Sequence, residues 1–397
     1  MLIDITRLAW RRANARLPTG VDRVGLASVA RWRDDARAAL VMRGRSAVLG
    51  AADSRAAFDW LLNDQPCSRL AAAQCVARWW LRAQHGRAEA GEVLLNLLHR
   101  GLEHAHYAQD LRRCGVRPVF FLHDLIPLTH PEYSSPGEPQ RHAQRVRHAI
   151  RLGHGLIVNS EATRVGLEAH ASALELPLPP TVVAPLAPGW TAAPVRGPRP
   201  LAAPHFVVLG TIEPRKNHLL LLCLWRTLVQ RLGPAAPHLV VIGRRGWQCQ
   251  ETFNLLDRCE SIQPYVHEMA QCSDASLSNW LQHAQALLFP SFTEGFGMPA
   301  VEALVHGLPV IASDLAVLRE SVADVPDYAN ALDGARWLQL IDSYRQETSP
   351  HRRAQLQRLQ SFSPTGWELH HRRIQSLLDH LPRVPAAQDG GAQVVLG

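Results

Sequence analysis

Lysine is almost missing from this chain: Lys216 stands alone against 41 arginines in 397 residues. The seven cysteines, at 67, 75, 114, 223, 249, 259 and 272, form no Cys-x-x-Cys pair, and their odd number fits no disulfide framework. Reduced thiols in a cytoplasmic protein are expected instead. No run of about 18 uncharged apolar residues occurs, so no membrane-spanning helix is expected. The opening MLIDITRLAWRR places Asp4 inside a strand-like run, which argues against a signal peptide. No Gly-x-Gly-x-x-Gly follows that first strand, which disfavours a dinucleotide oxidoreductase. The histidines show neither His-Glu-x-x-His nor paired-ligand spacing, so a zinc site is not expected.

What is present fits a globular protein of two domains: 47% of residues are hydrophobic, over a length that exceeds one ordinary core. The charge is lopsided. Residues 1–190 carry 24 arginines against 17 acidic residues, and the remainder carries 18 basic against 18 acidic, so the net +7 belongs to the first half. A basic half suggests an anionic partner: a membrane surface, a lipid-linked phosphate or nucleic acid. Arginines that merely solvate helices would give the same count. No basic patch interleaved with aromatics occurs, which weakens the nucleic-acid reading.

Apolar runs alternate with helical periodicity along the chain, the pattern of parallel sheets with helices on both faces. Strands are expected at Ile3–Ile5, at LLNLL (94–98), at Val119–Leu122 and at 155–160, with helical spacing over 21–33, 54–87, 103–113 and 141–152. The segment 185–204 is rich in Pro and Gly and aperiodic, as a linker is. A fresh alternation follows: strands at 205–210, 238–243, 286–290 and 308–312, helices at 217–232, 276–284 and 299–306. A first domain at 1–188, a linker at 189–204, a second domain at 205–364, a last helix at 365–381 and a disordered tail at 382–397 are expected.

Residues 289–314, FPSFTEGFGMPAVEALVHGLPVIASD, are the most informative stretch. A short strand ends in Pro290-Ser291, a glycine-rich turn follows, and a helix opens at Pro299, where a missing N–H has no partner to lose. The first N–H groups of such a helix can hold an anion. Gly295 and Gly297 let a ligand approach the backbone. Glu294 stands before the helix and Glu302 one turn inside it, so each carboxylate can face a different end of an elongated ligand. Two solvated glutamates on an ordinary strand–turn–helix are the plain alternative.

The frame EGFGMPAVEAL with its E-x7-E spacing, the continuation GLPVIASD, and the upstream run Leu209–Asn217 with Arg215 and Lys216 closely resemble glycosyltransferase family 4. The Val240–Gly243 strand and Ser273–Leu277 follow in family order. These are retaining enzymes of the GT-B fold, two Rossmann-like doubly wound domains facing across a cleft. The resemblance implies that Arg215 and Lys216 stabilise a leaving diphosphate, that Glu302 takes the ribose hydroxyls, that Glu294 contacts the transferred sugar, and that His123 lies near the reaction centre. Gly20, Thr211, Gly243, Arg244, Gly295, Phe296, Gly297 and Met298 would complete the donor site. Arg23, Asp124, Asn159 and Ser160 are candidates for the acceptor. Thr19-Gly20-Val21 has one glycine where the family usually has a fuller pair, and Arg23 could compensate or bind an anionic acceptor. In the family the leaving phosphate is usually described as accepting the acceptor's proton, so no general base is named.

No Asp-x-Asp occurs, which argues against a divalent metal serving the diphosphate, and no cofactor is expected. The donor would be a nucleoside diphosphate sugar, GDP-mannose or a UDP-sugar. The acceptor would be a saccharide or a lipid-linked saccharide of bacterial surface polysaccharide synthesis, met in the cytoplasm or at the inner face of the anionic membrane, without nucleic acid as partner. A nucleotide-sugar epimerase of the same fold stays open as an alternative.

Overall fold

A computed structural model describes residues 1–381 apart from 43–44, 64, 66, 86–87, 90, 100, 190–196 and 347. The expected tail at 382–397 and residues 190–196 of the expected linker lie outside the described residues.

Two separate sheets form. The first runs β4-β3-β2-β1-β5-β6-β7-β8, from β1 (Leu2–Asp4), β2 (Arg37–Met42), β3 (Arg45–Val48), β4 (Gln84–His85), β5 (Val93–Asn96), β6 (Arg117–Leu122), β7 (Gly155–Val158) and β8 (Thr181–Val183). From β2 to β8 it is parallel, while β3 pairs antiparallel with both β2 and β4. The second runs β11-β10-β9-β12-β13-β14, from β9 (His205–Leu209), β10 (His238–Ile242), β11 (Val266–Met269), β12 (Leu287–Phe289), β13 (Val310–Ser313) and β14 (Asp327–Ala329). All its pairings are parallel. The doubly wound class read from the sequence is therefore the class found, with an antiparallel edge on the first sheet as an addition.

Several elements depart from the periodicity. Helical spacing over 54–87 divides into helices Ala51–Leu62 and Arg69–Arg82 and then the edge strand β4. LLNLL pairs as Val93–Asn96, one residue early, and Asn96 stays in the ladder opposite Phe120 while its side-chain amide bonds Asp4 and Tyr107 within the core. Strands β8, β11 and β14 were not foreseen. Each is only three or four residues long and half buried in part, so none writes a clear apolar run.

The central strands carry the cores. Val119, Phe120, Phe121 and Leu122 on β6, and Leu287, Leu288 and Phe289 on β12, are all essentially inaccessible to solvent. Each such side chain contributes about 1.5–3 kcal/mol relative to exposure. In both sheets the strand order reverses beside the first strand of the domain, between β1 and β5 and between β9 and β12. Loops splay apart at such a reversal beyond the carboxyl ends of strands, which makes it the natural crevice for a ligand. Helix Trp367–Asp379, late in the chain, lies on the first sheet. Its Trp367 Nε1 donates to Pro188 O at 3.1 Å and its His370 Nδ1 meets Pro185 O at 3.0 Å.

Candidate active site

The loop leaving β9 is short: Gly210–Glu213, then a 3-10 turn Pro214–Lys216, then helix His218–Leu232. It runs beside the loop leaving β10, with Ile212 N donating to Arg244 O at 3.0 Å and Gly246 N to Ile212 O at 3.0 Å. Thr211, Gly243 and Arg244 thus belong to one pair of adjacent loops. Asn217 holds a left-handed φ of 54° and ties its amide to Ala331 O at 2.9 Å. That kink turns Arg215 and Lys216 back toward the neighbouring strand end.

There they meet the turn leaving β12. Lys216 Nζ lies 2.5 Å from Glu294 Oε1, and Arg215 Nη1 lies 2.8 Å from Glu294 Oε2. Arg215 Nε also reaches Glu213 Oε1 at 2.6 Å and its Nη1 donates to Thr293 O at 3.1 Å. The Lys216 ammonium further lies 4.6 Å above the Phe289 ring, a cation–π contact. Two cations and two carboxylates therefore interlock at the strand reversal. Burial opposes the charge on Glu294, yet Arg215 and Lys216 outweigh it and bring the carboxyl to about 2. On Lys216 burial wins and lowers the ammonium, with Glu294 opposing. Burial likewise raises Glu213 against the pull of Arg215 and Lys216.

The turn itself depends on its glycines. Gly297 sits at φ +89°, left of helix Met298–Val305, where a side chain would be strained. Gly295 touches the other domain: a Cβ there would lie 2.7 Å from His123 O and 2.9 Å from Asp124 Cβ. Met298 is buried, with its sulfur facing Gly20 of the first domain, and Phe296 is buried behind the turn. Inside the helix, Glu302 Oε1 accepts from Gly189 N at 3.1 Å. Burial raises Glu302 to about 7, against Arg23 and the Gly189 N–H.

From the first domain, His123 directly follows β6, buried and stacked on Phe121 at 4.2 Å. Its Nε2 lies 2.8 Å from Leu97 O, so Nε2 carries the proton and Nδ1 is the bare nitrogen. Burial lowers it to about 4, which keeps the ring neutral near pH 7. Asn159 Nδ2 donates to His123 O at 2.8 Å, and Ser160 Oγ donates to Gly295 O at 3.1 Å while capping helix Glu161–Ala173. Asp124 accepts from Ile126 N at 3.1 Å and its charge reaches Arg215. Arg23 donates to Gly189 O at 3.0 Å and pairs with Asp274 at 2.8 Å. Of the acceptor candidates, Arg23, Asn159 and Ser160 thus hold protein partners across or beside the cleft.

Other residues at the cleft carried no signal of their own in the sequence. Glu213, two residues before Arg215, has no spacing that marks it as part of a site. Asp22 gathers Arg7 at 2.8 Å and Arg11 at 2.7 Å. Tyr133 stacks on Phe292 at 5.6 Å, and the Trp247 indole donates to Tyr133 O at 3.1 Å, both from one domain to the other. Glu320 accepts from Glu161 N at 2.6 Å, a carboxylate on the N-terminus of the other domain's helix. Long-range pairings of this kind have no period to read. Among the described residues no group of three His, Cys, Asp or Glu is placed to hold a metal ion, and no helix is long and apolar enough to cross a membrane.

Comparison with known proteins bears on this geometry. Residues 203–333, which hold the whole Arg215–Glu294 cluster and Glu302, match the family described as glycosyl transferases group 1. A serotype-specific mannosyltransferase WbdA of Escherichia coli is 27% identical over 239 residues, 53% of this chain and 28% of that protein. An O-antigen chain mannosyltransferase B of Escherichia coli is 32% identical over 120 residues, 30% of this chain and 31% of that protein. The match thus spans under a third of each relative's length. Among solved structures, Anabaena Alr3699/HepE in complex with UDP-glucose covers 95% of this chain and 99% of its own at 15% identity, with a TM-score of 0.64. An Escherichia coli trehalose-6-phosphate structure bound with UDP-2-fluoro glucose covers 96% and 99% at 14% identity, with a TM-score of 0.61. The two-sheet architecture is the GT-B fold.

Proposed function

We propose, from the premise that through residues 203–333 the chain belongs to the glycosyl transferases group 1 family, that it moves a hexose with retention from a nucleoside diphosphate sugar to a saccharide or lipid-linked acceptor. The observation that carries this reading is the buried cluster of Arg215, Lys216 and Glu294 at the β9/β12 reversal, facing the His123 loop of the other domain. A departing diphosphate needs concentrated positive charge that is already in place. Lys216 has three N–H donors and Arg215 five, so both can serve phosphate oxygens beyond their carboxylate bonds.

In this reading Glu302 accepts from the ribose hydroxyls and Glu294 from hydroxyls of the transferred hexose. His123, neutral, offers Nδ1 as an acceptor to that hexose rather than a proton. The bond from the anomeric carbon to the phosphate oxygen breaks as the acceptor oxygen adds on the same face, and the acceptor's proton passes to the leaving phosphate. Asn159 and Ser160 act as positioning residues, holding His123 O and Gly295 O.

The relatives' names, both mannosyltransferases, favour mannose, and the solved neighbours' UDP keeps uridine in view. Bacterial surface polysaccharide is the corresponding product, made at the inner face of the cytoplasmic membrane. Thermal-shift titration with GDP, UDP, GDP-mannose and UDP-glucose tests the donor side. Nucleoside diphosphate released only when acceptor is added supports transfer; release without acceptor, with the sugar rearranged, would favour an epimerase.

A further inference from the structure

Helix Arg69–Arg82 is apolar on two sides. Its inner side buries Ala72 and Trp79, with Trp79 edge-on to Trp60 at 5.4 Å. At about 100° per residue, Leu70, Ala73, Ala77 and Leu81 form a stripe on the opposite side. That stripe faces out: Leu70 is 71% and Leu81 82% exposed, and both alanines are exposed. A surface helix ordinarily turns polar residues outward. Here Arg69 borders the leucines on one flank and Arg78 and Arg82 on the other, and the helix contains no acidic residue. Asp53 stands 3.5 Å from Arg82, a long and exposed pairing. Helix Thr6–Ala13 packs alongside and adds Trp10, 41% exposed, with the Arg16 guanidinium 4.8 Å above its ring.

We propose that this face docks on an anionic lipid bilayer, with Leu70 and Leu81 entering the acyl boundary and the arginines on headgroup phosphates. An apolar stripe flanked by arginines is the pattern of a helix lying in a membrane interface, and each such cation near an anionic surface adds attraction. The whole net +7 lies in the half of the chain that bears this helix. A second copy fits less well, because a two-fold pairing would set these arginines against their own equivalents with no carboxylate on the helix to answer them. The proposal deepens the reading of a transferase with a lipid-linked acceptor and rests on it for its purpose, while docking itself needs no donor.

The test is co-sedimentation of the full chain with phosphatidylcholine vesicles containing roughly a quarter phosphatidylglycerol, against pure phosphatidylcholine. The chain should pellet with the anionic vesicles and be released by salt. Leu70→Ser/Leu81→Ser and Arg78→Gln/Arg82→Gln should each weaken binding about tenfold, with thermal shift by GDP or UDP unchanged as a control for folding. Equal binding to both vesicle types, or undiminished binding by both variants, would overturn the proposal. A dimer in solution that Leu70→Ser/Leu81→Ser dissolves would overturn it in favour of a second copy. Vesicle binding by a chain that takes no nucleoside diphosphate would support this surface and sink the transferase reading.

Discussion

The single lysine of the chain, Lys216, lies 2.5 Å from Glu294, a carboxylate 78 positions further along. Arg215 completes the contact from the other side at 2.8 Å. Glu294→Ala strands the buried Lys216 ammonium, and Lys216→Ala leaves the Glu294 carboxylate to Arg215 alone; breaking a buried pair costs about 3–5 kcal/mol. Lys216→Ala and Glu294→Ala should each lower the melting temperature and cut transfer by at least about 100-fold. The double variant should recover part of the stability and none of the activity, since the stranded charge is gone while the phosphate site is not rebuilt. Melting curves and initial rates on the three proteins check this, and a double variant as active as wild type would refute it.

In the proposed site Glu302 should make donor binding depend on pH. Burial raises its carboxyl from 4.5 to about 7, so the folded chain keeps a proton that the unfolded chain loses at lower pH. Its contribution to stability is greatest below the unfolded value and falls as pH rises to about 7, by roughly 3 kcal/mol in total. In the proposed role, ribose hydroxyls donate to the ionised form. Affinity for GDP-mannose or UDP-glucose should therefore rise with pH between about 5 and 7, with proton release on binding. Glu302→Gln should flatten both curves. Calorimetry in buffers of different ionisation enthalpy reads the proton directly, and no release by the wild type would count against the ribose role.

Gly295 fixes how closely the two domains meet. A methyl group there would stand 2.7 Å from the His123 carbonyl oxygen, and backbone cannot yield as a flexible side chain does. Gly295→Ala should leave each domain folded, widen the scattering radius and lower transfer about tenfold or more. Unchanged scattering with unchanged rate would show that the contact does not matter.

Transfer should persist in excess EDTA, because Arg215 and Lys216 supply the positive charge in the proposed site. Loss of activity with chelator and its return with a divalent cation would replace this account of the diphosphate.

The sequence made some of these elements legible and hid others for physical reasons. The doubly wound class was visible because β6, β9, β10, β12 and β13 are short apolar runs between helical periods, buried on both faces. The segment 289–314 announced its turn through Gly295, Gly297 and Pro299. Strand β3 and the edge strand β4, by contrast, carry polar residues and depend on pairing partners rather than on a period. Glu213 and Asp22 could not be distinguished from solvated carboxylates until the fold set arginines against them. The sequence offers Arg23 as a residue that could compensate for the single glycine of Thr19-Gly20-Val21 or bind an anionic acceptor, whereas in the fold its partners are Gly189 and Asp274, far along the chain.

The central claim is that the β9 loop and the Glu294 turn form one donor site. Calorimetric titration of wild type and Lys216→Met with GDP and UDP, in EDTA, tests it most directly. The account predicts saturable binding of at least one nucleoside diphosphate by the wild type and a loss of about 100-fold or more in the variant. Equal affinity in the two proteins would contradict it.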